Sequence, residues 1–173
     1  GSEGFEEVTV LYLQQSDGSL EAAEAGLTGV GVGESSIADV NGDGALDLLI
    51  GGFDADGNQL VTLYMQQSDG SFEEAEAGLT GRRGEIGDVT GDGRPDLFIT
   101  GFENDESIQE LYVQQDDGSF QGSRTNFPAV SAIADFTGDG ALDLLVGDAI
   151  YANGVESSIA SPTGLTATGT DAP

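Results

Sequence analysis

Asp39-Val40-Asn41-Gly42-Asp43-Gly44-Ala45-Leu46-Asp47 is the stretch whose reading decides the fold. Oxygen-bearing side chains stand at its positions 1, 3, 5 and 9, and glycines at 4 and 6 let the backbone turn through φ > 0. The run recurs as Asp88-Val89-Thr90-Gly91-Asp92-Gly93-Arg94-Pro95-Asp96 and again as Asp135-Phe136-Thr137-Gly138-Asp139-Gly140-Ala141-Leu142-Asp143. Carboxylates crowded into one turn repel, by about 4 kcal/mol per pair at about 4 Å and an effective dielectric near 20. A hard cation that takes about six to eight oxygens relieves this, and that chemistry is calcium's. The expected ligands are the side chains at positions 1, 3, 5 and 9 and the carbonyl at position 7. They are Asp39, Asn41, Asp43, Ala45 and Asp47; Asp88, Thr90, Asp92, Arg94 and Asp96; and Asp135, Thr137, Asp139, Ala141 and Asp143. Three structural Ca2+ sites are therefore expected.

An EF-hand loop needs a bidentate Glu at position 12. Ile50, Ile99 and Val146 stand there, in strand-like surroundings, so that reading fails. One such run could be an ion-free Asp/Gly turn. Three copies with the same acidic positions favour the ion.

Working outward, the flanks repeat as well. Residues 11–29 read LYLQQSDGSLEAAEAGLTG and residues 63–81 read LYMQQSDGSFEEAEAGLTG, while a third copy begins LYVQQDDGSF at Leu111. The loops begin at Asp39, Asp88 and Asp135, a period of roughly 50 residues that suits a propeller blade. Each unit reads as four strands. Strand A (36–40, 85–89, 132–136) runs into the loop, and strand B (47–51, 96–100, 143–147) leaves it. The unbroken Leu-Leu-Ile character of strand B signals burial on both faces. Strand C (8–15, 60–67, 108–115) is followed by an Asp-Gly dipeptide read as a two-residue hairpin turn, and then by a brief strand D (19–21, 71–74, 119–121). The Ala-Glu-Ala-Gly-Leu-Thr-Gly connector is expected to hold one helical turn. Pro95 sits just before a strand, where its missing N–H does no harm.

These loops, the following Leu-Leu-Ile-Gly-Gly-Phe and the LY-x-QQ-x-DGSF segments resemble FG-GAP/VCBS repeats, the calcium-binding propeller blades of integrin α subunits and of many bacterial surface proteins. The resemblance covers residues 8 to 150, with the FG signature degenerate at Gly52-Phe53 and Gly101-Phe102 and no match after Gly147. It implies an all-β fold, a β-propeller built of four-stranded antiparallel blades with three blades' worth per chain, and a calcium ion between strands A and B. Thr90 and Thr137 replace the usual Asp or Asn, so their two sites are expected to bind more weakly than the Asn41 site.

The chain thus divides into blades over 1–155 and a small polar linker over 156–173, whose Pro162-Thr163-Gly164-Leu165-Thr166-Ala167 resembles the opening of a fibronectin type III domain. It opens with strands C and D and closes with A and B. Three blades are fewer than the usual four or more. Closure within one chain, a homodimer completing a six-bladed ring, and excision from a longer propeller all remain open.

Composition narrows the function. There are 32 acidic residues, four arginines, no lysine, histidine or cysteine, and a net charge of −28. Nucleic acid and anionic membrane are poor partners for such a surface. The surplus acid reads as adaptation to high salt, where screening is short-ranged. No apolar run reaches the roughly 20 residues of a membrane helix. Without His, Cys or Lys, a hydroxyl nucleophile lacks its usual base, so the chain is not expected to be an enzyme. The expected function is a calcium-stabilised module of a secreted or cell-surface protein, recognising a protein or glycan. A structural spacer or the propeller part of a polysaccharide-active enzyme are the alternatives. Asp54-Ala55-Asp56-Gly57-Asn58 reads as a solvated hairpin rather than a fourth site, and Arg82-Arg83 as local neutralisation. Tyr12, Tyr64 and Tyr112 read as inter-blade core rather than a sugar platform.

Overall fold

The computed structural model describes residues 8–124, 130–138, 142–146 and 149–151. Its strands follow the repeat. The first hairpin is β1 (Leu11–Gln14) and β2 (Leu20–Ala23). A four-stranded sheet comes next: β3 (Gly31–Ala38), β4 (Asp47–Phe53), β5 (Gln59–Gln66) and β6 (Phe72–Glu74). A second consists of β7 (Arg83–Gly87), β8 (Asp96–Glu103), β9 (Glu106–Gln114) and β10 (Phe120–Arg124). β11 (Val130–Ala134), β12 (Asp143–Val146) and β13 (Ala149–Tyr151) form the last. Each sheet is an antiparallel meander in chain order. Strands A to D of the sequence thus become β3–β6 and β7–β10, two complete blades.

The inner strands are apolar on both sides because each blade is sandwiched. Leu49, Val61 and Leu63 of the first blade meet Leu97, Ile99 and Tyr112 of the second in one core. Leu48, Ile50 and Tyr64 form another with Leu27 and Val30. Val89 and Leu144 begin a third, between the second blade and the last sheet. Glycine allows the close stacking: a Cβ on Gly51 would lie 2.5 Å from the Arg82 carbonyl oxygen.

Four expectations need correction. The chain does not close on strands A and B, because β13 adds a third strand on the far edge of β12. The Asp-Gly turns are not two-residue loops. Gly18 N–H bonds to Gln15 O at 2.9 Å, Gln15 N–H bonds to Ser19 O at 2.8 Å, and Gly18 has φ 86°, so a type I turn is followed by a left-handed glycine. Asp17 holds it by accepting from both the N–H and the hydroxyl of Ser19. The two described connectors, 24–30 and 75–80, contain no helical turn. Gly26 and Gly78 at φ 68° and 61° redirect the chain so that Leu27 and Leu79 enter the cores. Strand A ends at Ala38 and Gly87, a residue or more before the expected limit, because the following residues already belong to the loop.

Candidate metal centre

The three acidic loops lie at the same end of their sheets, each joining a first strand to a second. In loop one, Gly42 and Gly44 adopt φ 77° and 89°. This aims successive N–H groups inward at Asp39, whose Oδ1 accepts from Gly42 (2.8 Å) and Asp43 (3.1 Å) and whose Oδ2 accepts from Gly44 (2.9 Å). Loop two repeats the pattern around Asp88 with Gly91, Asp92 and Gly93 at 2.7, 3.1 and 2.7 Å. In loop three, Gly138 N–H reaches Asp135 Oδ1 at 2.6 Å. Residues 139–141 of that loop, Asp139 and Ala141 included, lie outside the described residues.

The ninth position behaves differently from the others. Asp47, Asp96 and Asp143 are fully buried. Asp47 Oδ2 accepts from Val40 N–H at 2.8 Å and Oδ1 from Gln66 N–H at 2.9 Å, tying the loop to the third strand. Asp96 does the same with Val89, Thr90 and Gln114, each at 3.1 Å. Asp143 accepts from Phe136 and Thr137, both at 2.9 Å. Buried charge is tolerable here because charge-assisted bonds replace the lost water.

Positions 3, 5 and 7 are exposed or half-exposed. Asn41 Oδ1 accepts from Asp43 N–H, its amide donates to Asp43 Oδ2, and Asp43 Oδ1 accepts from Ala45 N–H. The Ala45 N–H bond, then the Asn41 amide, holds the Asp43 carboxyl below the usual carboxylate range. Thr90 contributes its backbone N–H to Asp96. Arg94 replaces a neutral residue with a cation. Its guanidinium bonds Asp92 Oδ2 at 2.5 Å, Asp116 at 3.2 Å and the Gln114 carbonyl at 3.3 Å.

Among the described residues, no three carboxylate, thiol or imidazole groups converge in the way a metal ion requires. The donor chemistry still fits a hard cation: oxygen only, with amide and hydroxyl at position 3. Asp39 Oδ1 and Asp88 Oδ1 each accept two N–H bonds, whereas Asp39 Oδ2 and Asp88 Oδ2 each accept one from Gly44 or Gly93, which leaves a lone-pair direction on the second oxygen for an ion.

The other singled-out residues have plain roles. Asp54 closes its own turn by accepting from Asp56 and Asn58. Arg83 pairs with Glu34 at 2.7 Å, and Arg82 lies between the rings of Phe53 and Phe102, 5.5 and 5.2 Å from their centroids. Tyr64 and Tyr112 are core, as expected, and Tyr12 is exposed. Sequence reasoning missed two devices. The Tyr64 hydroxyl donates to Thr28 Oγ1 (2.9 Å), and the Tyr112 hydroxyl contacts Thr80 (3.2 Å), latching each connector to its blade. The buried Gln114 amide donates to the Val40 carbonyl at 3.0 Å, joining the second blade to the first loop. The repeated LY-x-QQ and LTG segments were the available signal, but only the register shows which groups meet.

Stacked four-stranded antiparallel sheets, with an acidic loop between the first two strands of each, define a blade-type all-β repeat protein. Residues 88–146, from loop two through β12, match the family model described as FG-GAP-like repeat, which supports the FG-GAP family for this stretch. No curated protein and no solved structure matches the chain.

Proposed function

We propose that this chain is a calcium-stabilised blade module of a secreted or cell-surface protein, and that it serves adhesion or recognition of a protein or glycan. The observation that carries the reading is the twice-complete cradle around Asp39 and Asp88. Three backbone N–H groups and two left-handed glycines fix the first carboxylate while Asp43 or Asp92 stands beside it. In loop one Asp39, Asn41, Asp43, the Ala45 carbonyl and Asp47 would hold the ion. In loop two Asp88, Thr90, Asp92, the Arg94 carbonyl and Asp96 would do so. Loop three offers Asp135, Thr137 and Asp143 with Asp139 and Ala141. Bound calcium supplies positive charge to the crowded carboxylates, so its binding free energy adds to folding free energy. The role is structural, and recognition belongs to surface loops on the rigid scaffold.

Thermal melts with saturating calcium and with excess chelator test this. Chelation should lower Tm by many degrees and calcium should restore it. Asp43→Ala should reduce that difference while Asp54→Ala leaves it intact. Identical melts in calcium and chelator would reject the metal.

A further inference from the structure

Arg82 is the cation of this chain that no acid holds. Arg83, Arg94 and Arg124 each pair with one or two carboxylates. Among the described residues Arg82 has no such partner, although the chain carries 32 acids. Local neutralisation, expected of the Arg82-Arg83 pair, therefore describes Arg83 alone. The Arg82 guanidinium lies instead between two rings, one from each complete blade. Phe53 ends β4 and Phe102 stands near the end of β8, with centroids 5.5 and 5.2 Å away. Such contacts steady the charge and spend none of its N–H donors. Arg82 is half-buried, and its nitrogens are not among the buried atoms left without a partner, so these donors reach solvent.

The surroundings hold this arrangement in place. Arg82 N–H bonds to Thr100 O at 2.9 Å, fixing its backbone against β8. The Gln59 amide of β5 grips the Phe102 backbone from both sides, donating to its carbonyl at 2.6 Å and accepting from its N–H at 2.7 Å. The same two rings line a cleft of about 600 Å3 together with Asn58, Gln59, Thr80 and Arg124, a size in the range of small-ligand sites. Phe102 is 45% exposed. Acids of the adjoining turns are committed elsewhere, Asp54 to its own turn and Glu103 to Arg124. We infer that this cleft, at the end of the blades away from the acidic loops, recognises an acidic sugar. The uronate carboxylate takes the Arg82 fork, and the sugar ring lies on Phe102. A guanidinium matches a carboxylate bidentately, and an exposed aromatic ring is the apolar surface on which the C–H face of a pyranose packs. An acidic peptide suits the fork but not the ring. It would also bring denser charge into the field of a −28 chain than uronates spaced by neutral sugars do. The inference names a ligand class for the recognition reading above and rests on it, but not on calcium, whose loops lie at the other end of the sheets.

Titration calorimetry on the unsubstituted chain in calcium tests this with two probes: a tetrasaccharide alternating glucuronate with N-acetylglucosamine, and its carboxyl-reduced counterpart. The acidic form should bind saturably and at least about tenfold more tightly than the reduced one. No saturable binding, or equal binding of the two, overturns the proposal. Tighter binding of a glutamate peptide of the same charge overturns the choice of a sugar. Arg82→Lys keeps the charge but loses the fork, and should weaken binding of the acidic tetrasaccharide by about tenfold. Arg83→Gln should leave it unchanged. Equal losses in the two variants would mean that overall charge attracts the sugar, and would overturn the site. The Arg82 Nε–H resonance of the unsubstituted chain gives a readout that no variant's folding can disturb. It should move with the acidic tetrasaccharide and stay with the reduced one, and an unmoved resonance at saturation overturns the assignment to Arg82. Failure to bind beside a calcium-dependent melt strikes the sugar and leaves the calcium-stabilised module standing, whereas binding beside identical melts does the reverse.

Discussion

A crowded carboxylate can be satisfied by a cation from solution, by backbone N–H groups or by a guanidinium, and the two fully described loops differ in the mixture. Asp39 and Asp88 receive the same three N–H bonds. Beyond them, Asp43 leans on Asn41 whereas Asp92 has the Arg94 guanidinium. That ion pair is more than a third exposed on both sides or nearly so, which puts its worth in the range of about 0.2–1 kcal/mol. A calcium ion bound in loop two, as proposed, would have to compete with it. Arg94→Ala should therefore tighten calcium binding by about 1.4- to fivefold by titration calorimetry, and unchanged binding would deny Arg94 any counter-ion role. Asparagine against threonine at position 3 works in the same direction, leaving loop one as the stronger expected site.

At the scale of elements, the blades are joined by cores and by a few polar contacts between neighbouring first strands. Glu85 on β7 faces Glu34 on β3, and Glu34 is held by Arg83. Burial first, and then the Glu34 charge, push the Glu85 carboxyl above the ordinary carboxylate range. A carboxyl raised on folding favours the fold while protonated, below its unfolded pKa, and loses that contribution as pH rises through the folded value. Glu85→Gln should therefore leave Tm unchanged in acid and raise it modestly at neutral pH. An equal shift at both pH values would mean that packing, not charge, is responsible. The acidic loops and strand order were legible because each repeats in sequence. The type I turn at Asp17-Gly18 was not, because the dipeptide suits both turn types and only the Ser19 bonds select one. Nor were the connectors: their Ala and Glu have helical propensity, overridden when Leu27 and Leu79 are drawn into the cores.

For the whole molecule, charge is the dominant quantity. All four arginines are engaged, Arg82 by two rings and Arg83, Arg94 and Arg124 by carboxylates. The surplus of acid that gives −28 is then opposed mainly by solvent ions. Raising salt from about 0.1 M to 1 M shortens screening from about 10 Å to 3 Å, so Tm measured in excess chelator should rise by several degrees. A fall would show that the few ion pairs outweigh the repulsion.

By itself the sequence determined the repeat, the blade as an all-β unit and the acidic loops, because periodic spacing and residue chemistry are local properties. The tertiary structure alone decided which carboxylate is buried against the third strand, that Tyr64 and Tyr112 latch to Thr28 and Thr80, and that Tyr151 occupies the place opposite Leu144. The physical reason is shared: each depends on pairing between strands distant in the chain, and strand register leaves no mark in any single stretch.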